Sequence, residues 1–449
     1  MIDSGCLGPD YLFSCDWPKK SAPLNNLNSG SQGQAMNHNR SLLLILVFLP
    51  LFFAAALAEI AEEDKFSYDG QIRIRQEYDL KSFDSDRIYE EYTKARIRLG
   101  FRFQPSDMTW AYIQLQTSKR WGDPYGTDEV ELHQGYFVLT YNLTEELETI
   151  FKVGRYEMIY GDQRVFSSSN WSDEGRVWDG ATLTIKSRRF SFDFFGSKIY
   201  ENFSRNIHGI SSRDFFVIGF YGTYIPAELD IFFFHEHDKD THFPESKRLF
   251  RYNIGGYWFR EQGDFDFTIQ GNYQFGDIPD YSLLMDISAY MINSEIGYTF
   301  DDKTAPRIAA GIDYTTGDDI SRGDKYTVYN NSYTTSHKFR GYMDYFSGSP
   351  TYGLMDLYFS GKIKPTPIID VKTDFHYFHA AEYYISYYDH ETKTKNLGYE
   401  IDITANFTGI EAATLTGGLS YFIPDDHFAT DGPDKKNGFW AYLQGTVDF

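Results

Sequence analysis

Basic side chains recur at every second position in two stretches near the start of the chain: Arg73 and Arg75, then Lys94, Arg96 and Arg98, with Arg102 at the same parity and Arg120 further on. Residues i and i+2 of an extended strand point to one face, so this spacing lines up a row of cations. An arginine fork stays charged at any working pH and grips both oxygens of a carboxylate, so such a row could carry or hold a polyanion. Two readings stand side by side. The row is a conduit for an anionic ligand, or it pairs with inward acids such as Glu77, Asp356, Glu400 and Asp402 and holds an interior together. Catalytic signatures are lacking: there is no Gly-x-Ser-x-Gly, His-Glu-x-x-His, P-loop or zinc-ligand spacing, and the expectation is a protein that is not an enzyme.

The elements that must position these cations are strands. In the first stretch Tyr68, Gly70, Ile72, Ile74 and Tyr78 oppose Asp69, Gln71, Arg73, Arg75 and Glu77. In the second, Ala95, Ile97, Leu99, Phe101 and Phe103 oppose Lys94, Arg96, Arg98 and Arg102, a sorting no helix achieves. About 18 such segments run from Phe66 to Phe449, with 16 as the nearest alternative. The breaks between them alternate. Pro105–Asp107, Asn142–Glu145, Ser187–Arg189, Pro226–Ala227, Glu261–Asp264 and Thr408–Ala412 are short. Tyr160–Gly180, Tyr200–Asp214, Glu236–Arg248, Thr316–Tyr352, Ala380–Asn396 and Pro424–Asn437 are long and rich in Asp, Gly and Ser. This alternation predicts an all-β fold: a transmembrane antiparallel β-barrel with short periplasmic turns, long outer loops and both termini periplasmic.

Composition and the ends of the chain agree. Aromatics make up 18% of the 449 residues, yet mean hydropathy is −0.46, and a barrel accommodates both by placing aromatics toward lipid and charges in its lumen and loops. Asn37-His38-Asn39-Arg40, the apolar run Ser41–Ala55 and Ala56-Leu57-Ala58 read as a signal peptide over 36–58. Residues 1–35 then read as a non-native upstream extension, and 59–449 as a single barrel domain. Cys6 and Cys15 both precede the signal, so the mature chain has no thiol chemistry. Three acids and three bases leave with the first 58 residues, so the mature chain keeps the full net charge of −22, which argues against a nucleic-acid partner. The final alternating strand ends on Phe449, which suits recognition by the barrel-assembly machinery and closure against the first strand.

Three stretches resemble the alginate-export family of outer-membrane proteins. They are Val153-Gly154-Arg155-Tyr156-Glu157 with Tyr160-Gly161-Asp162-Gln163-Arg164, Trp171, Gly175-Arg176 and Asp179-Gly180; then Tyr314–Asp318 with His337–Asp344; then Asn396–Asp402. The resemblance covers Phe66–Phe449 and implies an 18-stranded monomeric barrel whose arginine-rich conduit for an anionic polysaccharide is occluded by an outer loop and a periplasmic turn. It carries Arg155, Arg164 and Arg176 over as members of that conduit or its loop scaffold.

Together these readings give an expected outer-membrane channel of a Gram-negative bacterium, passing an anionic polysaccharide or oligosaccharide by diffusion. Arg73, Arg75, Arg96, Arg98, Arg102, Arg155, Arg164 and Arg176 form its conduit, with Glu77, Glu400 and Asp402 as acidic partners. No cofactor is implied. Asp425, Asp426, Asp431 and Asp434 could hold loop calcium but lack EF-hand spacing. A general or nutrient-uptake porin is the main alternative, and a barrel enzyme or adhesin, with loop-borne function, the third. A Ser–His–acid group on one rim would mark the enzyme.

Overall fold

The computed structural model describes residues 65–449 apart from 123–128, 207–208, 239–248, 281–282, 319–324 and 332. The stretches read above as an upstream extension and a signal peptide lie outside the described residues.

Each alternating segment forms one strand. The first nine are β1 (Phe66–Leu80), β2 (Glu90–Ser106), β3 (Thr109–Trp121), β4 (Glu131–Thr144), β5 (Leu147–Tyr156), β6 (Trp178–Lys186), β7 (Phe190–Asn206), β8 (Gly209–Tyr224) and β9 (Leu229–Asp238). Then come β10 (Phe250–Gln262), β11 (Phe265–Asp280), β12 (Leu283–Thr299), β13 (Arg307–Thr315), β14 (Lys325–Tyr326), β15 (Leu354–Thr366), β16 (Ile369–Ile385), β17 (Lys393–Ile410), β18 (Ala413–Pro424) and β19 (Gly438–Asp448). Every strand except β14 belongs to one closed antiparallel barrel of 18 strands. The two-residue β14 pairs in parallel with β12 from within the β13–β15 loop. Among the described residues helix is confined to single 3-10 turns such as Ile225–Ala227 and Gly432–Asp434.

Closure removes the edges that an open sheet would expose to lipid. Strand β19 pairs with β1 from Phe439 opposite Leu80 to Asp448 opposite Gln71. The terminal residue continues the ladder, with the Gly70 N–H donating to the Phe449 carbonyl at 2.8 Å and the Phe449 N–H donating back at 3.0 Å. The Phe449 ring folds over Gly70, where a Cβ would meet the tip of the ring at 2.3 Å and push this exposed side chain aside.

The parity read from the sequence holds through the wall. Ile72, Ile74, Ile97 and Leu99 are exposed toward lipid, while Arg73, Arg75, Arg96 and Arg98 are buried in the interior. Short turns join β2 to β3, β4 to β5, β6 to β7, β8 to β9 and β10 to β11 at one end, where the barrel's two termini also lie. One expected loop is corrected: β7 and β8 keep pairing to Asn206 opposite Gly209, so most of Tyr200–Asp214 is an extended hairpin. After one register shift between Lys198 and Tyr200, the backbone ladder runs on from Tyr200 opposite Phe215.

The interior holds two apolar clusters. One joins Phe166, Trp178, Phe195, Phe232, Phe234 and Tyr333, the other Met343, Phe346, Phe378, Leu397, Phe422 and Trp440. Phe166 and Tyr333 come from the β5–β6 loop, and from the β13–β15 loop, respectively; Met343 and Phe346 are also from the latter. Both long loops therefore fold inward and bury apolar side chains against the inner wall, which is where a lumen filled only with water would have had none.

Candidate functional site

The β5–β6 loop (157–177) lies across the row of cations on β1 and β2. Arg73 donates to the Asn170 carbonyl at 2.6 Å and the Ser172 carbonyl at 2.8 Å. Arg96 reaches the same two oxygens at 3.1 and 3.2 Å, and also Gln71 Oε1 at 2.7 Å and Asn170 Oδ1 at 2.8 Å. Arg75 donates to the Trp171 carbonyl at 3.1 Å and stacks 3.8 Å over the Trp171 ring. Arg98 binds Gln116 at 2.6 Å and Glu157 at 3.2 Å. A loop brought into a lumen leaves carbonyl groups without partners, and guanidinium forks supply the donors. The sequence placed these arginines correctly on the inner face; their hold on a peptide was invisible to it.

The β13–β15 loop (316–353) is held from the opposite wall by acids. Glu400 accepts the Met343 N–H at 2.8 Å and Asp402 accepts the Tyr342 N–H at 3.3 Å. Gly341, at φ +80°, permits this approach, since a Cβ there would meet the Glu400 carboxylate at 2.5 Å. Asp313 is shared by Arg164 and Arg340, the latter at 3.3 Å. Asp356 takes His376 at 2.9 Å. Glu400 and Asp402 were expected to face the β1–β2 cations; they hold a loop backbone instead, and only Glu77 plays the expected part, with Arg75 at 2.8 Å and Lys94 at 3.3 Å.

The loops also grip each other. Thr335 N–H donates to the Gln163 carbonyl at 3.2 Å, Arg176 to the Thr334 carbonyl at 3.3 Å, and Lys338 to the Asp162 carbonyl at 2.9 Å. The Trp171 and His337 rings stack at 3.7 Å. Burial alone would lower the Arg164 guanidinium, but Asp313 and Asp162 outweigh it and raise it above the usual arginine range. Arg176 has only carbonyl acceptors here, and burial lowers it.

Of the three family-derived arginines, Arg164 and Arg176 belong to this plug and Arg155 does not. Arg155 shares its strand face with the lipid-exposed Phe151, pairs with Asp179 at 2.7 Å and is 42% exposed, so it lies on the outside of the barrel. Arg102 faces inward nearer the short turns, donating to Gln104 at 3.1 Å and stacking on Trp110. Arg120 stacks on Tyr92 and pairs with Glu90 at the loop end.

Between the loops and the short-turn mouth lie two cavities that share Lys338 and Tyr342. One, of about 500 Å³, is lined by Gln71, Arg73, Arg96, Asn170, His337, Lys338, Asn406, Thr416 and Gln444 among others, and no carboxylate lines it. The other, of about 240 Å³, sets Arg164, Arg307, Arg340, Lys372 and His376 against Asp162, Glu295, Asp313, Asp356 and Asp374. Both lie toward the short turns, because Thr414, Thr446, Thr268 and Arg307 line them and sit within a few residues of strand ends there.

A family model for alginate export matches residues 59–441. The chain belongs to that family. Among solved structures the barrel is similar to Pseudomonas aeruginosa OpdK with vanillate (TM-score 0.56, 9% identity, 86% of this chain and 99% of that one). It is also similar to P. aeruginosa OccK2 (OpdF) in complex with glucuronate (TM-score 0.55, 11% identity, 86% and 98%), and to P. aeruginosa OccK3 (OpdO) (TM-score 0.53, 12% identity, 86% and 96%). These likenesses show the barrel fold. No curated protein matches the sequence. This alginate-export family member is an outer-membrane channel of a Gram-negative bacterium.

Sequence reasoning assigned no site role to Lys338 and His337, although both open the His337–Asp344 stretch that carries the resemblance, nor to the polar wall of Thr404, Asn406, Thr416 and Gln444. The wall residues share the inward parity of Asp402 and were open to the same argument; Lys338 lies in a long loop, where parity carries nothing. A Ser–His–acid group does form in the long loops, with His427 Nδ1 3.2 Å from Ser386 Oγ and 3.8 Å from Asp389. Serine and acid face the same ring nitrogen, and the buried Ser386 Oγ accepts the Tyr388 and Asp389 N–H groups, so the geometry is that of a turn and offers no relay. The loop acids are engaged locally: Asp426 with Lys435, Asp431 with the Ser85 N–H, Asp425 with the His427 N–H.

Proposed function

We propose that the channel is a passive, diffusive conduit for a carboxylated saccharide, and that the acid-free cavity is where its carboxylate groups dwell. The observation that carries this reading is the lining itself. Arg96 and Lys338 both face that cavity, and their hydrogen bonds go to carbonyl and amide oxygens. A carbonyl satisfies a donor without cancelling its charge, so the cavity keeps net positive potential inside low-dielectric walls, where the field of a fixed charge is focused. Amide and hydroxyl groups of Gln71, Asn406, Thr416 and Gln444 add neutral partners of the kind sugar hydroxyls use. A fold neighbour in complex with glucuronate supports the ligand class. On this reading the short-turn end and both termini are periplasmic, the barrel acts as a monomer, and the outward Phe449 strand is what the assembly machinery reads.

Single-channel recording on the mature chain tests it. A reversal potential in a salt gradient that reports anion preference, with block by micromolar polyuronate, is the expected result. Cation preference with no polyuronate block overturns the reading. Block by monomeric carboxylates alone transfers the channel to the nutrient-uptake porins.

A further inference from the structure

Two guanidinium groups converge on two oxygens by the acid-free cavity, Arg73 with both arms of its fork and Arg96 with Nη1 alone, its Nη2 going to the Gln71 and Asn170 side chains. The Asn170 and Ser172 carbonyls each accept from Arg73, at 2.6 and 2.8 Å, and from Arg96, at 3.1 and 3.2 Å. A pair of oxygens held by parallel N–H groups of a planar fork is how arginine binds a carboxylate. Here the pair comes from two peptide groups of the β5–β6 loop. Asn170 itself lines the cavity, as do both arginines, so the site they form opens onto it.

Resting on the carboxylated-saccharide reading, we infer that Arg73 and Arg96 form a carboxylate site which the β5–β6 loop occupies with its own carbonyl groups, and that a uronate in the cavity displaces the loop. The ligand then acts on its own plug. The guanidinium is ionised in either case, so both bonds are charge-assisted, but only a carboxylate adds the Coulombic attraction of an opposite charge, which low-dielectric walls strengthen. A carboxylate therefore outcompetes a carbonyl for the same fork in a site that both can reach. The loop is also anchored by its own acids, Asp173 to Lys94 at 3.3 Å, Arg75 at 3.4 Å and Arg73 at 3.6 Å, and Glu157 to Arg98 at 3.2 Å, so the exchange is confined to its carbonyl contacts. Arg75 reaches the Trp171 carbonyl, Gln116 the Glu174 carbonyl at 2.8 Å and Ser118 the Asp173 carbonyl at 2.6 Å. Loss of the Asn170 and Ser172 contacts at its centre frees the segment that carries Trp171, and with it the Trp171–His337 stack that joins the two loops. The opposite loop is fixed through Glu400, Asp402 and Asp313, with Arg340 on a carboxylate and not on a carbonyl, and stays in place.

A thiol on the loop reads this displacement directly, since both native cysteines precede the mature chain. Ser168 is 2% exposed on the same loop, and Ser168→Cys is a near-isosteric change. Maleimide labelling of this variant in bilayers is measured with tetragalacturonate, with neutral maltotetraose, and without ligand, while conductance is recorded on the same preparation. We expect labelling to rise about tenfold with the uronate oligomer and to stay unchanged with the neutral one. In Arg73→Gln and Arg96→Gln backgrounds labelling should be fast without ligand and indifferent to it. Arg73→Lys, which keeps the charge and loses the fork, should fall between, and guards against misfolding of the glutamine variants. Uronate block of conductance with unchanged labelling overturns this inference and leaves the channel's ligand class intact. Neither block nor labelling removes the ligand class and this inference with it.

Discussion

The two cavities beneath the plug share Lys338 and Tyr342, yet their arginines do different work. In the smaller one Arg164 and Arg340 close on the buried Asp313, and Arg307 on Asp266 and Glu295, so each charge is met by an opposite charge. In the larger one Arg96 is met by carbonyl and amide oxygens, while its neighbour Arg73 holds two carbonyls and has the Asp173 carboxylate only at 3.6 Å. The first arrangement neutralises and fixes structure; the second satisfies every donor except Nε and leaves the charge free to act on a ligand. Counting arginines in a lumen therefore says little until their acceptors are known.

The largest effect that would break this comparison is expected at Asp313. Asp313→Asn leaves Arg340 buried without its counter-charge and Arg164 with Asp162 alone, a change that costs about 3–5 kcal/mol. Urea titration of the barrel in bilayers should show a loss of that order, together with proteolysis of the β13–β15 loop. Arg96→Gln should act the other way round. Stability should fall by no more than about 1–2 kcal/mol, because a neutral amide can keep part of the hydrogen bonding, while anion preference drops severalfold in the salt-gradient reversal potential. Equal stability losses in the two variants would erase the distinction between the cavities.

Lys338 sharpens it further, since it faces both. Desolvation among the loops lowers its ammonium below the usual lysine value, with like-charge repulsion from Arg164 and Lys372 working against the pull of Asp162. A lowered lysine carries its charge below its own pKa and loses it as pH rises through that value. Anion preference should therefore begin to fall on the alkaline side before an ordinary lysine titrates, and Lys338→Arg should abolish that fall. A flat reversal potential up to the ordinary lysine range would remove Lys338 from the conducting surface.

How much of this was legible beforehand follows from what a two-residue period can encode. It placed Arg73, Arg75, Arg96 and Arg98 inside and Ile72, Ile97 and Leu99 outside, and it located each wall strand, because burial on one side and lipid on the other impose alternation at every position. It is silent where the chain leaves the wall. The inward fold of 157–177 and 316–353 depends on contacts between segments far apart in sequence, such as Phe166 with Tyr333 and Trp171 with His337. The same silence hid Lys338 and reassigned Glu400 and Asp402 from arginines to the amides of Met343 and Tyr342.

Arg155 gives the smallest expected effect and a control for the rest. Its motif suggested the conduit, but Phe151 lies four residues away on the same strand face and is exposed to lipid, so parity alone sends Arg155 outward. There it meets Asp179, itself 52% exposed on the side chain, and a solvent-accessible pair of this kind contributes only about 0.2–1 kcal/mol. Arg155→Ala should accordingly leave anion preference and uronate block unchanged and shift the urea midpoint slightly. A change in selectivity as large as that of Arg96→Gln would mean that charge on the outer face reaches the conducting path. The contrast between the two cavities would then no longer explain selectivity by itself.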